Sequence, residues 1–195
     1  MLDVGCKLKM KQTLTLIGLF WATFVFAQAN NCDSIPWTKE RKLFWNDFQA
    51  TPDLTTKDTA QSFSRLYKKW SLRGDTLSII VSCYFKPCLS WSKSKYSDTL
   101  LMHEQGHFDI SEYFRRLSIK RFSEQNFKRQ NIKSEIESIN LDIDSQLKQF
   151  VALYESKTDF SRNKAMQVEW TNKILSLIDS LREFDQPKIV KEIVK

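Results

Sequence analysis

Histidine is nearly absent from this chain. Only two occur in 195 residues, His103 and His107. A site of three imidazoles is therefore excluded, and a metal bound by both must complete its coordination with Asp, Glu, Tyr or solvent. Cysteine is sparse as well, four in all. Those beyond the N-terminal region, Cys32, Cys83 and Cys88, are too few and wrongly spaced for a cysteine zinc site. Lys and Arg exceed Asp and Glu, 30 to 23, yet no dense basic block exists. That spread describes a solvated surface and argues against a nucleic-acid partner. There are no repeats and no low-complexity segments. Past residue 26 no apolar run is long enough to span a bilayer. What remains is an ordinary globular composition, 42% hydrophobic and 27% charged. The length suits one domain with a real core better than two. Six Trp and fourteen Phe supply large buried area per residue.

The first 27 residues read as a signal peptide. Lys7, Lys9 and Lys11 form a positive lead, residues 13–26 are mostly apolar, and Val25, Phe26 and Ala27 fit a small-residue cleavage site. Met10 offers an alternative start, because Met10 and Lys11 lead straight into the apolar run. The removed piece carries three Lys and one Asp, a net of +2, so the mature chain falls from +7 to +5. The product is expected in the periplasm or outside the cell, with no membrane span after cleavage. Export permits disulfides. Cys83 and Cys88 flank a short Tyr-Phe-Lys-Pro loop that a bridge could close, and Cys32 paired to either one is the competing arrangement.

The two histidines stand in His103-Glu104-Gln105-Gly106-His107, an H-E-x-x-H pattern. On a helix, positions i and i+4 share a face, so both imidazoles can reach one metal. Glu104 flanks that face, where it can take a proton from a metal-bound water. A packed core helix with buried histidines is the competing explanation, since Leu100, Ile110, Phe114 and Leu117 continue the same stripe. Two buried histidines each need a polar partner, however, and one metal serves both. Gly106 costs about 1 kcal/mol inside a helix, which points to a close approach at that position.

The rest of the chain sorts into a sheet followed by helices. Residues 28–42 read as a mobile N-terminal segment. Residues 62–72 and 75–85 flank Arg73, Gly74 and Asp75, a hairpin signal. In the second arm Leu77, Ile79, Val81, Cys83 and Phe85 alternate with more polar positions, as in a half-buried strand. Three helices follow. The first is capped by Ser97 or Asp98 and carries the motif, with Arg115, Arg116, Lys120 and Arg121 expected on its outer side. The second opens near Ser134 and Glu137, a capping box. The third follows Ser161 and ends before Pro187. The expected architecture is α+β and zincin-like: a small N-terminal antiparallel sheet, then three helices. A single domain would run over residues 43–187, with 188–195 a tail.

Taken together, four stretches resemble a bacterial family of exported proteins, domain of unknown function 922, described as zinc-dependent proteases. They are Phe44-Trp45-Asn46-Asp47-Phe48 with Pro52; Cys83-Tyr84-Phe85 with Ser90-Trp91; Leu100 through Ile110 around the motif; and Tyr154-Glu155 with Thr158, Gln167 and Trp170. They span about residues 43–175. Phe160 stands where the family pattern has a histidine, and Glu155 where it has Asp. The resemblance implies zinc held by His103, His107 and a carboxylate, Glu155 first and Asp159 second, with Glu104 as catalytic base. It implies an exported metallopeptidase acting on a peptide or protein, with Tyr154 either a hydrogen-bond donor to the oxyanion or a core residue. The alternative is a catalytically inactive envelope protein of the same fold with a binding or scaffold role, which Phe160 would mark. A helical protein carrying the motif by chance is the third reading.

Overall fold

The structure, a computed structural model, describes residues 32–193. The expected signal segment lies outside the described residues. The chain is mixed α+β. Six strands and three long helices alternate with short 3-10 turns: β1 Ile35–Pro36, β2 Ala60–Gln61, β3 Ser64–Arg73, β4 Thr76–Phe85, β5 Trp91–Ser92, α1 Asp98–Glu124, α2 Ile132–Thr158, α3 Lys164–Ser180 and β6 Lys188–Glu192.

β3 and β4 form the expected hairpin, paired antiparallel from Arg73↔Thr76 to Ser64↔Phe85. Gly74 takes φ +60°, the left-handed conformation that the tight turn needs. The alternation in β4 works as read: Leu77, Ile79, Val81, Cys83 and Phe85 are all buried, on the face toward α1. The second edge of β4 is shared by two partners. β1 covers its C-terminal end and β6 its N-terminal end. A separate small sheet joins β2 to β5.

Two expected boundaries are corrected here. The described part of the segment expected to be mobile is docked: β1 pairs with β4, and the Trp37 indole N–H donates to Asp109 on α1 at 2.7 Å. The expected tail supplies β6, and Ile193 is buried. The cysteine pairing is corrected too. Cys32 is bonded to Cys88, with Cα atoms 5.7 Å apart, and Cys83 is a buried free thiol. Cys83 belongs to the core face of β4, so its side chain points away from the loop that holds Cys88.

α1 begins where its cap predicts, with the Ser97 hydroxyl accepting from the Leu100 amide. One face packs on the sheet, burying Ile119 and Phe122 with Leu77, Ile79 and Val81. Another packs on α2 and α3, burying Ile110 and Phe114 with Ile143, Trp170 and Ile174. Arg115 and Arg116 are not on the outside. Both are buried, and both bond the buried Glu112 at 2.7 Å, while Arg116 also reaches Asp185 at 2.6 Å. A buried guanidinium is tolerated only when so paired. α2 starts at Asn131 rather than at the Ser134 capping box, and α3 is capped by Asn163 rather than Ser161. Between them Asp159, Phe160 and Ser161 hold φ of +47°, +51° and +74°, three consecutive non-glycine residues in the left-handed region. No helix among the described residues is long and apolar enough to cross a membrane.

Candidate metal centre

Three helices meet at the motif. α1 brings His103 and His107, the last turn of α2 brings Tyr154, Glu155 and Thr158, and the first turn of α3 brings Gln167. The Glu155 carboxylate faces both imidazoles: Oε1 lies 2.9 Å from His107 Nε2, and Oε2 lies 3.3 Å from His103 Nε2. The donor atoms of His103, His107 and Glu155 all lie within 4.8 Å of one another, so the group could hold a metal ion. Asp159 is not part of it: it is exposed and pairs with Arg162 at 2.7 Å. Phe160 does not wall the site either, being 57% exposed with the Arg162 guanidinium over its ring.

The protonation of His103 follows from a closed ring of hydrogen bonds. Burial pushes the Tyr154 phenol up, so its O–H stays intact. That hydroxyl donates to the His103 carbonyl oxygen at 3.0 Å, an atom that can only accept. The Tyr154 oxygen is then left to accept from Gln167 Nε2 at 2.8 Å. Gln167 Oε1 must therefore face His103 Nδ1, 3.0 Å away, and Nδ1 must carry a proton. Thr158 agrees: its hydroxyl donates to the Tyr154 carbonyl, leaving its oxygen toward His103 Nδ1. In neutral His103 the lone pair is thus on Nε2, aimed at Glu155. Tyr154, Thr158 and Gln167 are fully buried, so water does not compete for these bonds.

Nε2 and a carboxylate oxygen are both acceptors, and at 3.3 Å they repel unless something positive sits between them. Glu155 Oε2 is buried without a hydrogen-bond partner. The ion-pair distance to His103 does not remove that orphan, because the contact lacks hydrogen-bond geometry. Electrostatics give the same picture. Burial pushes the His103 pKa down, but Glu155 beside it outweighs burial and leaves it raised above 6.5. Burial pushes Glu155 up, but His103 and His107 outweigh it and hold the carboxyl down to about 2. The cluster suits a cation: a proton, or a metal in its place.

Around this cluster the motif's other residues have distinct tasks. Gly106 lies against Tyr154, and a Cβ there would come within 2.7 Å of the phenol Cζ. The close approach expected of this glycine is to a side chain that stacks on the His103 ring at 4.8 Å. Glu104 is buried, and its Oε2 accepts from the Ser62 amide at 2.8 Å. Gln105 donates to Asp109 and accepts from the Leu43 amide, tying the N-terminal strap to α1. Glu112 points away, into its cluster with Arg115 and Arg116. Gln167 and Thr158 entered the sequence reading only as members of a resembling stretch; their hydrogen bonds across 64 and 55 residues leave no local signature. No family model matches the chain, and no curated protein or solved structure matches it.

Proposed function

We propose that this chain is an exported zinc-dependent metallopeptidase of zincin-like architecture, related to the domain 922 family that its motifs resemble. The convergence of His103, His107 and Glu155, with the Glu104 charge close enough to act on His103, carries this reading. Two imidazole nitrogens and one carboxylate suit zinc, and three protein ligands leave a position open for chemistry. The orphaned Glu155 Oε2 and the Nε2 lone pair of His103 support the fit. When bound, such an ion supplies Lewis acidity, acidifying water and polarising a carbonyl. Glu104 moves the proton. Ser62 N–H steadies one carboxylate oxygen, and the other takes a proton from the attacking water and returns it to the leaving amine. Tyr154 serves the centre from behind, since its hydroxyl is committed to the His103 carbonyl rather than to an oxyanion. Phe160, the residue that would mark an inactive scaffold, is exposed and lies under the Arg162 guanidinium, and Glu104→Gln discriminates the two readings. The Cys32–Cys88 bridge suits an oxidising compartment.

Metal analysis and peptide cleavage test the reading together. Wild type is expected to retain zinc and cleave a quenched-fluorescence peptide mixture. His103→Ala should lose zinc. Glu104→Gln should keep zinc and lose cleavage by about 10²-fold or more. Zinc-free wild type after zinc loading, or unchanged zinc in His103→Ala, would refute it.

A further inference from the structure

An open groove of about 1080 Å³ lies between the N-terminal half of β3 and α2 and reaches across β3 to Tyr84, Lys86 and Ser34. Its charge is one-sided. Arg65, Lys68, Lys86 and Lys148 line it against a single acid, Asp144, which Lys68 already engages at 2.7 Å. Four cations against one anion leave a surplus of three, which an anionic occupant would relieve.

The backbone says what kind of occupant. β3 pairs with β4 along all ten residues on one side, and among the described residues no strand pairs with its other edge. That edge presents N–H and C=O groups at strand spacing. An extended peptide can satisfy them by strand addition, whereas an anionic polysaccharide cannot. The five β3 residues lining the groove, 64 to 68, span roughly 17 Å, room for a segment of about five residues.

The groove is linked to the helix of the metal centre by a hydrogen-bond relay. Ser64 at its head donates to the Ser111 hydroxyl at 2.7 Å, and Ser111 donates to the His107 carbonyl at 3.0 Å. Just upstream, Ser62 N–H holds Glu104. The chain therefore passes the catalytic carboxylate and His107, then continues as one wall of the groove. On the other wall, Leu147 and Lys148 precede Glu155 by about two turns of α2.

We propose that this groove holds an extended peptide segment and selects acidic side chains in it. As a statement about substrate preference this rests on the metallopeptidase reading; as a statement about binding it can be measured without cleavage. The test titrates fluorescein-labelled decapeptides, one rich in Glu, one neutral with Gln and Ser, into zinc-loaded Glu104→Gln protein and follows anisotropy. The acidic peptide should bind about tenfold tighter at low salt, with the preference shrinking as salt rises. The exposed double variant Arg65→Glu/Lys148→Glu should abolish the preference while melting like its parent. Equal binding of the two peptides, an unchanged preference in the double variant, or heparin competing as strongly as the acidic peptide would each overturn the proposal. Zinc content and wild-type cleavage are read separately. A chain that binds the acidic peptide but holds no zinc would keep the groove and lose the peptidase.

Discussion

Replacing Gly106 by alanine should destabilise this protein, although the same change in an ordinary helix interior stabilises by about 1 kcal/mol. The sign reverses because the new methyl meets Tyr154, whose Cζ would lie 2.7 Å away. Tyr154 cannot step aside cheaply. It is fully buried, its ring stacks on His103, and its hydroxyl both donates to the His103 carbonyl and accepts from Gln167. Overpacking of this kind costs about 1–3 kcal/mol. Loosening two buried hydrogen bonds adds about 1 kcal/mol each. Subtracting the helix gain leaves a net loss of about 2–4 kcal/mol, or a fall in Tm of roughly 5–15 °C for a chain of this size. Urea denaturation of chelator-treated protein measures the first figure and a thermal melt the second. A displaced Tyr154 also releases the anchor of His103, so zinc affinity should fall about 10-fold or more. An alanine variant as stable as wild type would refute the close packing of Gly106 on Tyr154 and the anchoring role built on it.

Gln167→Leu keeps the volume but removes both bonds of the amide, and should weaken zinc binding by about 10–100-fold; Gln167→Glu, which restores an acceptor for Nδ1, should recover part of the loss in a competitive chelator titration. The pH dependence should differ between the metal-free and metal-loaded forms. In metal-free protein the raised His103 contributes stability that is full below pH 6.5 and lost as pH rises through its folded value, whereas Glu155 contributes above 4.5 and loses it as pH falls toward about 2. Zinc needs the neutral imidazole, so below the His103 value its affinity should drop about tenfold per pH unit, and the Tm gain on adding zinc should grow as pH rises from below 6.5 through that value. A gain independent of pH would contradict the ligand assignment. Cys32→Ser should cost about 2–4 kcal/mol in denaturant unfolding, because the bridge closes a 56-residue separation, while Cys83→Ala should leave the bridge intact by mass spectrometry.

The parts of this fold that were readable in the sequence are those fixed by local chemistry. Gly74 marks the hairpin, Ser97 marks the start of α1, and the alternation from Leu77 to Phe85 marks the buried face of β4. The same alternation could have settled the cysteines, since it puts Cys83 in the core and leaves Cys88 for Cys32. Arg115 and Arg116 looked solvent-facing because charge is usually exposed. Glu112, three and four residues earlier, was the visible hint of burial, but Asp185, 69 residues from Arg116, was not. Docking of the N-terminal segment was equally hidden, because Trp37 and Asp109 are 72 residues apart. At the centre, His103, Glu104 and His107 came from spacing alone, and Glu155 from resemblance to known motifs. The proton on Nδ1 came from neither. It depends on a chain of donors that ends at a main-chain carbonyl, and only the three-dimensional arrangement closes that chain.

The left-handed run at Asp159, Phe160 and Ser161 bears on how the molecule comes apart. Each L-residue held there costs roughly 1–2 kcal/mol, and the run joins the helix bearing Glu155 to the helix bearing Gln167. The strain persists because α3 is anchored elsewhere: Trp170, Ile174 and Ile178 are buried against α1 and α2. Trimming that anchor with Trp170→Ala should therefore loosen α3 and the Gln167 end of the centre together, so that amide exchange in α3 rises in the variant before exchange in β4 does.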